Sequence, residues 1–247
     1  MRRFFVGPEA VQGDRVYFDA QLSHHMGTVL RLSVGDQVTV CAGAGLVYVV
    51  ELEQFTKDAV QGRVVERLEQ QQDTNVQMVL YQGMPKGDKL ELIIQKCTEL
   101  GVSEIIPVET SRSIVHLDSG KAAKKLERWQ KIAQEASQQS KRIEVPTVDK
   151  YFTWKQCLAQ LAQDEGLTLV LWEDEHTQSM KGVLRSLSQP PQRINLVIGP
   201  EGGLSEEEVL QLREAGAVTV SLGKRILRTE TAGMAALAML NYEYESE

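Results

Sequence analysis

The stretch Leu196-Val197-Ile198-Gly199-Pro200-Glu201-Gly202-Gly203-Leu204-Ser205 reads as an apolar strand, a turn with three glycines and the start of a helix. Ser205-Glu206-Glu207-Glu208 has capping-box spacing, in which the serine hydroxyl and the glutamate three residues on satisfy free backbone donors of the first helical turn. Such a unit belongs to an α/β fold. Open α/β sheets bind small molecules at the carboxyl ends of their strands, and glycines let the backbone approach a ligand closely. Local pattern alone does not separate this loop from an ordinary tight connection, because it matches neither the dinucleotide fingerprint nor the P-loop spacing.

A second unit follows in Val220-Ser221-Leu222-Gly223-Lys224-Arg225-Ile226-Leu227-Arg228-Thr229-Glu230-Thr231-Ala232, again a strand, a glycine loop and a helix start. Two such loops in consecutive units can line one pocket, with Arg228 and Glu230 in its mouth. The plainer alternatives are a surface ion pair, worth about 0–1 kcal/mol, and a helix cap at Thr229 or Thr231.

Outward from these loops, strand-length apolar runs at 76–82, 104–107, 167–172, 194–198 and 218–222 alternate with stretches of helical period, which predicts a largely parallel sheet. Helices are expected over 90–100, stopped by Gly101, over 121–140, with Trp129, Ile132 and Ala136 on the buried side, and over 231–242. Residues 1–70 read differently. Short β runs at 15–18, 37–40, 46–52 and 60–65, separated by Gly35-Asp36 and Gly43-Ala44-Gly45 and interrupted by a brief helix over 23–31, predict a small β-barrel. The polar run Glu69-Gln70-Gln71-Gln72-Asp73 puts the domain boundary between 1–72 and 73–247.

The 247 residues, 42% hydrophobic and 25% charged, have the balance of a packed globular chain. No signal-peptide-like run follows Arg2-Arg3 and no apolar stretch approaches the roughly 20 residues of a membrane span, so a cytoplasmic protein without a membrane partner is expected. Cys41, Cys97 and Cys157 are too dispersed for a disulfide framework or zinc site, and the adjacent His24 and His25 with the isolated His116 and His176 imply no metal. A net charge of −7 argues against indiscriminate nucleic-acid binding. Residues 121–142 nevertheless carry seven basic side chains (Lys121, Lys124, Lys125, Arg128, Lys131, Lys141, Arg142) against Glu127 and Glu135, a basic stripe on an acidic protein.

The paired motifs I-G-P-E-G-G and L-G-x-R-I-L-R-T-E-T-A resemble those of the RsmE family of small-subunit ribosomal RNA uridine-N3 methyltransferases, of the SPOUT class. The likeness extends through His24-His25 to Val29-Leu30-Arg31, Lys86-Gly87-Asp88-Lys89, Gln95 to Gly101, and Glu135-Ala136 with Gln139 and Arg142. It implies a PUA-like RNA-recognition barrel ahead of an α/β domain whose C-terminal segment forms a deep trefoil knot. It also implies a homodimer, S-adenosylmethionine as cofactor, and ribosomal RNA, in the assembled small subunit, as partner. The cofactor pocket then falls on three loops: Leu171, Trp172 and Glu173; Ile198, Gly199, Pro200, Gly202 and Gly203; and Leu222, Gly223, Ile226 and Leu227, with Thr231 and Ala232 beyond.

Uracil N3–H is about as weak an acid as a tyrosine hydroxyl, near pKa 10, so N3 must lose its proton before or during methyl transfer, and a nearby cation would stabilise the resulting anion. Arg228 is the expected cation, and Glu201 and Glu230 are competing proton acceptors. Arg2, Arg3, Arg31, Lys86, Lys89, Arg112 and Arg142 are the candidate RNA contacts. Two other classes stay open: an RNA-binding module with an inactive α/β domain, and an enzyme using another nucleotide-like cofactor.

Overall fold

The computed structural model describes residues 1–43, 45–56, 59–69, 76–115, 117 and 119–244. His116, Ala44 of the expected glycine turn, residues 70–73 of the polar run and the expected boundary at 72/73 lie outside them. The chain forms two compact units, Met1–Asp73 with Ser137–Val145, and Thr74–Ala136 with Pro146–Glu247. The first unit thus takes in a distant nine-residue segment that no local feature marked. Among the described residues no helix is long and apolar enough to cross a membrane.

The first unit is a six-stranded sheet in the order β1 (Arg3–Phe5), β4 (Gln37–Cys41), β5 (Leu46–Phe55), β6 (Val60–Glu69), β3 (Arg15–Phe18), β2 (Val11–Gln12). Only β1 and β4 pair in parallel. Its core collects Phe4, Val16, Phe18, Met26, Val38, Val40, Val50, Leu52 and Val60. The helix expected over 23–31 starts earlier, as α1 (Ala20–His24), because the Asp19 carboxylate accepts from Leu22 N–H at 2.7 Å. It then widens into a π turn over His25–Val29, and Arg31 takes a left-handed φ of 55°.

The second unit is built on a wholly parallel sheet ordered β12 (Val218–Val220), β10 (Leu167–Leu171), β11 (Arg193–Ile198), β7 (Gln77–Gly83), β8 (Glu104–Val108), β9 (Thr147–Val148). Its central strands are buried on both faces, which is why they read as continuous apolar runs rather than alternating ones. Val79, Tyr81, Val170 and Val197 face a core with Val209 and Leu212 of α6 (Glu206–Glu214) and Cys157 and Leu161 of α4 (Trp154–Leu161). On the other face α7 (Thr229–Tyr244) packs against β11 and α2 (Lys89–Glu99). Leu90, Ile93, Ile94 and Cys97 give α2 a buried stripe at helical spacing, and Gly101, at φ 83°, stops it as expected.

The helix expected over 121–140 is α3 (Ser119–Ser140), with Trp129 and Ala136 buried but Ala133, not Ile132, fully covered between them. The final helix begins at Thr229 rather than Thr231, because the Thr229 hydroxyl turns inward instead of capping: it donates to Gly199 C=O at 2.6 Å and accepts from Gln82 Nε2 at 2.9 Å. All three cysteines are free and buried, and burial pushes the Cys97 and Cys157 thiols up to about 12.

Strand β7 ends hard against the first glycine loop. A Cβ on Gly83 would lie 2.6 Å from the Pro200 backbone nitrogen and ring. Gly83→Ala is therefore expected to lose about 1–3 kcal/mol of stability through overpacking that neither backbone can relieve, measured by denaturant unfolding.

Candidate active site

The register of the parallel strands makes the site. Leu171 pairs with Ile198 on one side and with Val220 on the other, so β10, β11 and β12 end at one level. The loops that leave them enclose a cavity of about 670 Å³. The cavity lies outside the carboxyl ends of the strands, where open α/β sheets place ligands. Leu171, Trp172, Glu173, Ile198, Gly199, Pro200, Gly203, Leu222, Gly223, Ile226, Leu227 and Ala232 line the cavity, together with Glu201, Arg228 and Glu230. Gly202 and Thr231 stand outside the lining: Gly202 C=O accepts from Arg112 Nη1 at 2.7 Å, and Thr231 is exposed in the first turn of α7.

Glycine is required at two points of the first loop. Gly203 has φ +68°, and a Cβ there would lie 2.3 Å from Glu173 Oε1; a Cβ on Gly199 would lie 2.6 Å from the Gly203 carbonyl carbon. Ser205 and Glu208 make the expected capping box at the loop's end. Glu208 is buried and also accepts from Ser111 N–H at 2.7 Å, so the segment that carries Arg112 braces the glycine loop from outside.

The charged residues divide into two groups. Lys89, at the start of α2, lines the cavity and pairs with Glu201 at 2.8 Å and Glu230 at 3.5 Å. Its contact with Glu201 holds the ammonium above its ordinary pKa. Lys86 and Arg112 are exposed on the same unit, as are Lys124, Arg128 and Lys131 of the stripe, although Arg128 is engaged by Glu91 at 2.7 Å. Arg2, Arg3, Arg31 and Arg142 belong to the other unit. Arg2 and Arg31 are exposed, whereas Arg3 donates to the Lys141 and Arg142 carbonyls and Arg142 is only 8% exposed. A guanidinium so covered has little to offer a phosphate.

A family model described as an RNA methyltransferase domain matches residues 72–241, and one described as an RNA methyltransferase PUA domain matches 18–65. The chain is 42% identical to the ribosomal RNA small subunit methyltransferase E of Bacillus subtilis (strain 168), over 90% of this chain and 88% of that one. The chain belongs to the ribosomal RNA small subunit methyltransferase E family. The family's Synechocystis member is 35% identical over 99% of this chain and 78% of its own length. The Neisseria gonorrhoeae member, solved bound to S-adenosyl methionine, superposes with a TM-score of 0.86 at 33% identity, covering 98% of each chain.

Sequence inspection missed Glu175, in the loop after β10, because nothing local distinguishes it from Glu173 and Asp174. In the fold it is buried; Oε1 accepts from Thr177 N–H and Oγ1 at 2.8 and 2.6 Å, and Oε2 from Thr219 Oγ1 and Arg213 Nη2 at 2.6 and 3.2 Å. Arg213 in turn lies over the Trp172 ring, 5.4 Å from its centroid. One carboxylate thus fixes β12, α6 and the wall residue Trp172. Hydrogen bonds from Thr177 and Thr219, only partly opposed by burial, hold its carboxyl down to about 2. A depressed folded-state pKa stabilises above the ordinary carboxylate value, and that stabilisation is lost as pH falls towards 2. Glu175→Gln should cost about 1–3 kcal/mol at pH 7, and its deficit in thermal unfolding should shrink between pH 4.5 and 3.

Proposed function

We propose that the protein transfers the methyl group of S-adenosylmethionine to N3 of a specific uridine in small-subunit (16S) ribosomal RNA. It acts in the cytoplasm as a homodimer, with RNA of the assembled small subunit as substrate. Residues 1–72, joined by 137–145, form the PUA-like RNA-recognition barrel, and the rest forms a SPOUT-type domain with a C-terminal trefoil knot. The observation that carries the function is the single cavity formed by three register-aligned loops, in a chain whose Neisseria relative was solved bound to S-adenosyl methionine.

The residues fit the cofactor. The cavity has the size of a small-molecule site, and at Gly223 in its lining nothing lies within 4 Å of where a Cβ would stand, so the backbone there is open to a ligand. Leu171, Trp172 and Glu173 form one wall, Ile198, Gly199, Pro200 and Gly203 the floor, and Leu222, Gly223, Ile226 and Leu227 the other wall, with Ala232 behind. When bound, S-adenosylmethionine supplies a methyl group already activated as a sulfonium. The protein's task is then the acceptor. Arg228, exposed at the cavity's rim, faces the charge that develops on the uracil carbonyl oxygens when N3 loses its proton. Lys86, Arg112 and the exposed stripe of α3 engage phosphates, with Arg2 and Arg31 on the recognition domain. A base in structured RNA must be unpaired or flipped out to reach such a cavity.

Mass mapping of 16S RNA from a strain lacking the protein should show one uridine missing a methyl at N3; an unchanged map refutes the proposal. S-adenosylmethionine, unlike NAD or ATP, should raise the unfolding temperature of the purified protein, by about 2.7 kcal/mol of stability at a hundred times Kd. Gly203→Val should abolish that shift. Arg228→Ala should cut turnover about 10²–10³-fold while calorimetry finds cofactor affinity nearly unchanged.

A further inference from the structure

Lys89, Glu201 and Glu230 line one side of the cavity, and hydrogen bonds serve the two carboxylates unequally. Glu201 Oε1 takes Lys89 Nζ at 2.8 Å and Lys86 N–H at 3.1 Å, and its Oε2 takes the same N–H at 3.3 Å. Burial pushes the Glu201 carboxyl up, but the Lys89 and backbone donors prevail and hold it below the ordinary carboxylate value. The Lys89 ammonium reaches Glu230 Oε2 at 3.5 Å, an ion pair too long for a good hydrogen bond. That buried oxygen has no hydrogen bond, and the Glu230 side chain keeps 16% of its surface open.

Buried carboxylate oxygens almost always find a close donor, so a carboxylate served only by one long ion pair at the wall of a cavity calls for a functional explanation. An ionised carboxylate accepts only, and the group it lacks is a donor. Uracil N3–H is such a donor. Resting on methyl transfer to uridine N3, we propose that Glu230 accepts the N3 proton and that Lys89 and Glu201 are positioning residues, Lys89 holding the Glu230 carboxylate at the cavity wall while its close bond goes to Glu201. The Glu230 carboxylate takes the proton and becomes a carboxylic acid. The electron pair left on N3 forms the new N–C bond as the methyl–sulfur bond breaks, and that bond's pair stays on sulfur, leaving a neutral thioether. One negative and one positive charge disappear together, and the acid then returns its proton to water. Glu201 is a poor alternative, because protonating it would strip Lys89 of its closest partner.

The test is single-turnover methylation of 16S RNA in small subunits by the full-length protein across pH 6–10, with cofactor affinity by calorimetry and thermal melts alongside. Glu230→Gln should lose about 10²–10⁴-fold at pH 7 and bind S-adenosylmethionine within about threefold of wild type. Its deficit should shrink roughly tenfold per pH unit as N3 ionises unaided towards pH 10. Glu230→Asp, one methylene shorter but still a carboxylate, should recover more than about tenfold of the loss at pH 7. Lys89→Met should cut kcat much more than it raises KM for the RNA, a split that a merely structural role would not produce. A Glu230→Gln deficit that stays constant with pH overturns the assignment, as does a pH-dependent deficit of that size in Glu201→Gln. Loss of cofactor affinity in Glu230→Gln would make it a cofactor-binding residue instead. A wild-type methyl mapped to an atom other than N3 would refute the underlying reaction and would appear in the product rather than in the variants.

Discussion

The site depends on four polar groups, from three segments of the chain, that meet out of water behind it. The Thr229 hydroxyl donates to the Gly199 carbonyl, and Gln82 Nε2 donates to Thr229 Oγ1 and to the Gly83 carbonyl at 3.0 Å. These atoms come from the end of β7, the end of β11 and the first turn of α7, far apart in sequence. Buried polar groups hold a geometry firmly when they are paired, because breaking one bond leaves a desolvated partner. Glu201 and Glu230 are brought to the same ammonium because their segments are fixed at this junction.

The cluster needs close backbone approach, and the sequence provides it. Gly83, Gly199 and Gly233 each stand where a side chain would press on a neighbour; for Gly233, in α7, the nearest atom is Ile198 Cδ1 at 3.3 Å. These positions let α7 lie on β11 and bring Glu230 to the cavity wall. Outside the junction, Glu175 with Arg213 and Thr219, and Arg112 with Gly202, brace the loops from the sides. A cavity held on every side by long-range polar contacts is preorganised, and preorganisation is what lets fixed charges act on a developing anion.

Much of this was legible in the chain. The capping box at Ser205, the helix stop at Gly101, the buried stripe of α2 and the paired glycine loops were readable because each is a pattern within a few residues. The misplacements were also local in origin. Asp19 caps α1 without a local signature that marks it, Thr229, one of two alternative caps in the sequence, bonds inward instead, and Ala133 rather than Ile132 is the fully buried residue between Trp129 and Ala136. In each case a contact from another element, or a neighbouring residue equally able to serve, decided between near-equivalent positions.

The sequence by itself determined the strands, turns and helices, the α/β class and the two loops on which the chemistry rests, since side-chain periodicity, capping and glycine freedom act over short distances. Only the tertiary structure decided which acid is fully hydrogen-bonded and which is left with a single long ion pair. It separated Glu201 from Glu230 through Lys89, brought in Glu175, drew the segment 137–145 into the first unit and buried Arg142. The physical reason is that the charge state and hydrogen bonding of a side chain are set by whatever the fold brings within about 4 Å of it, and those partners lie tens to more than a hundred residues away in the chain.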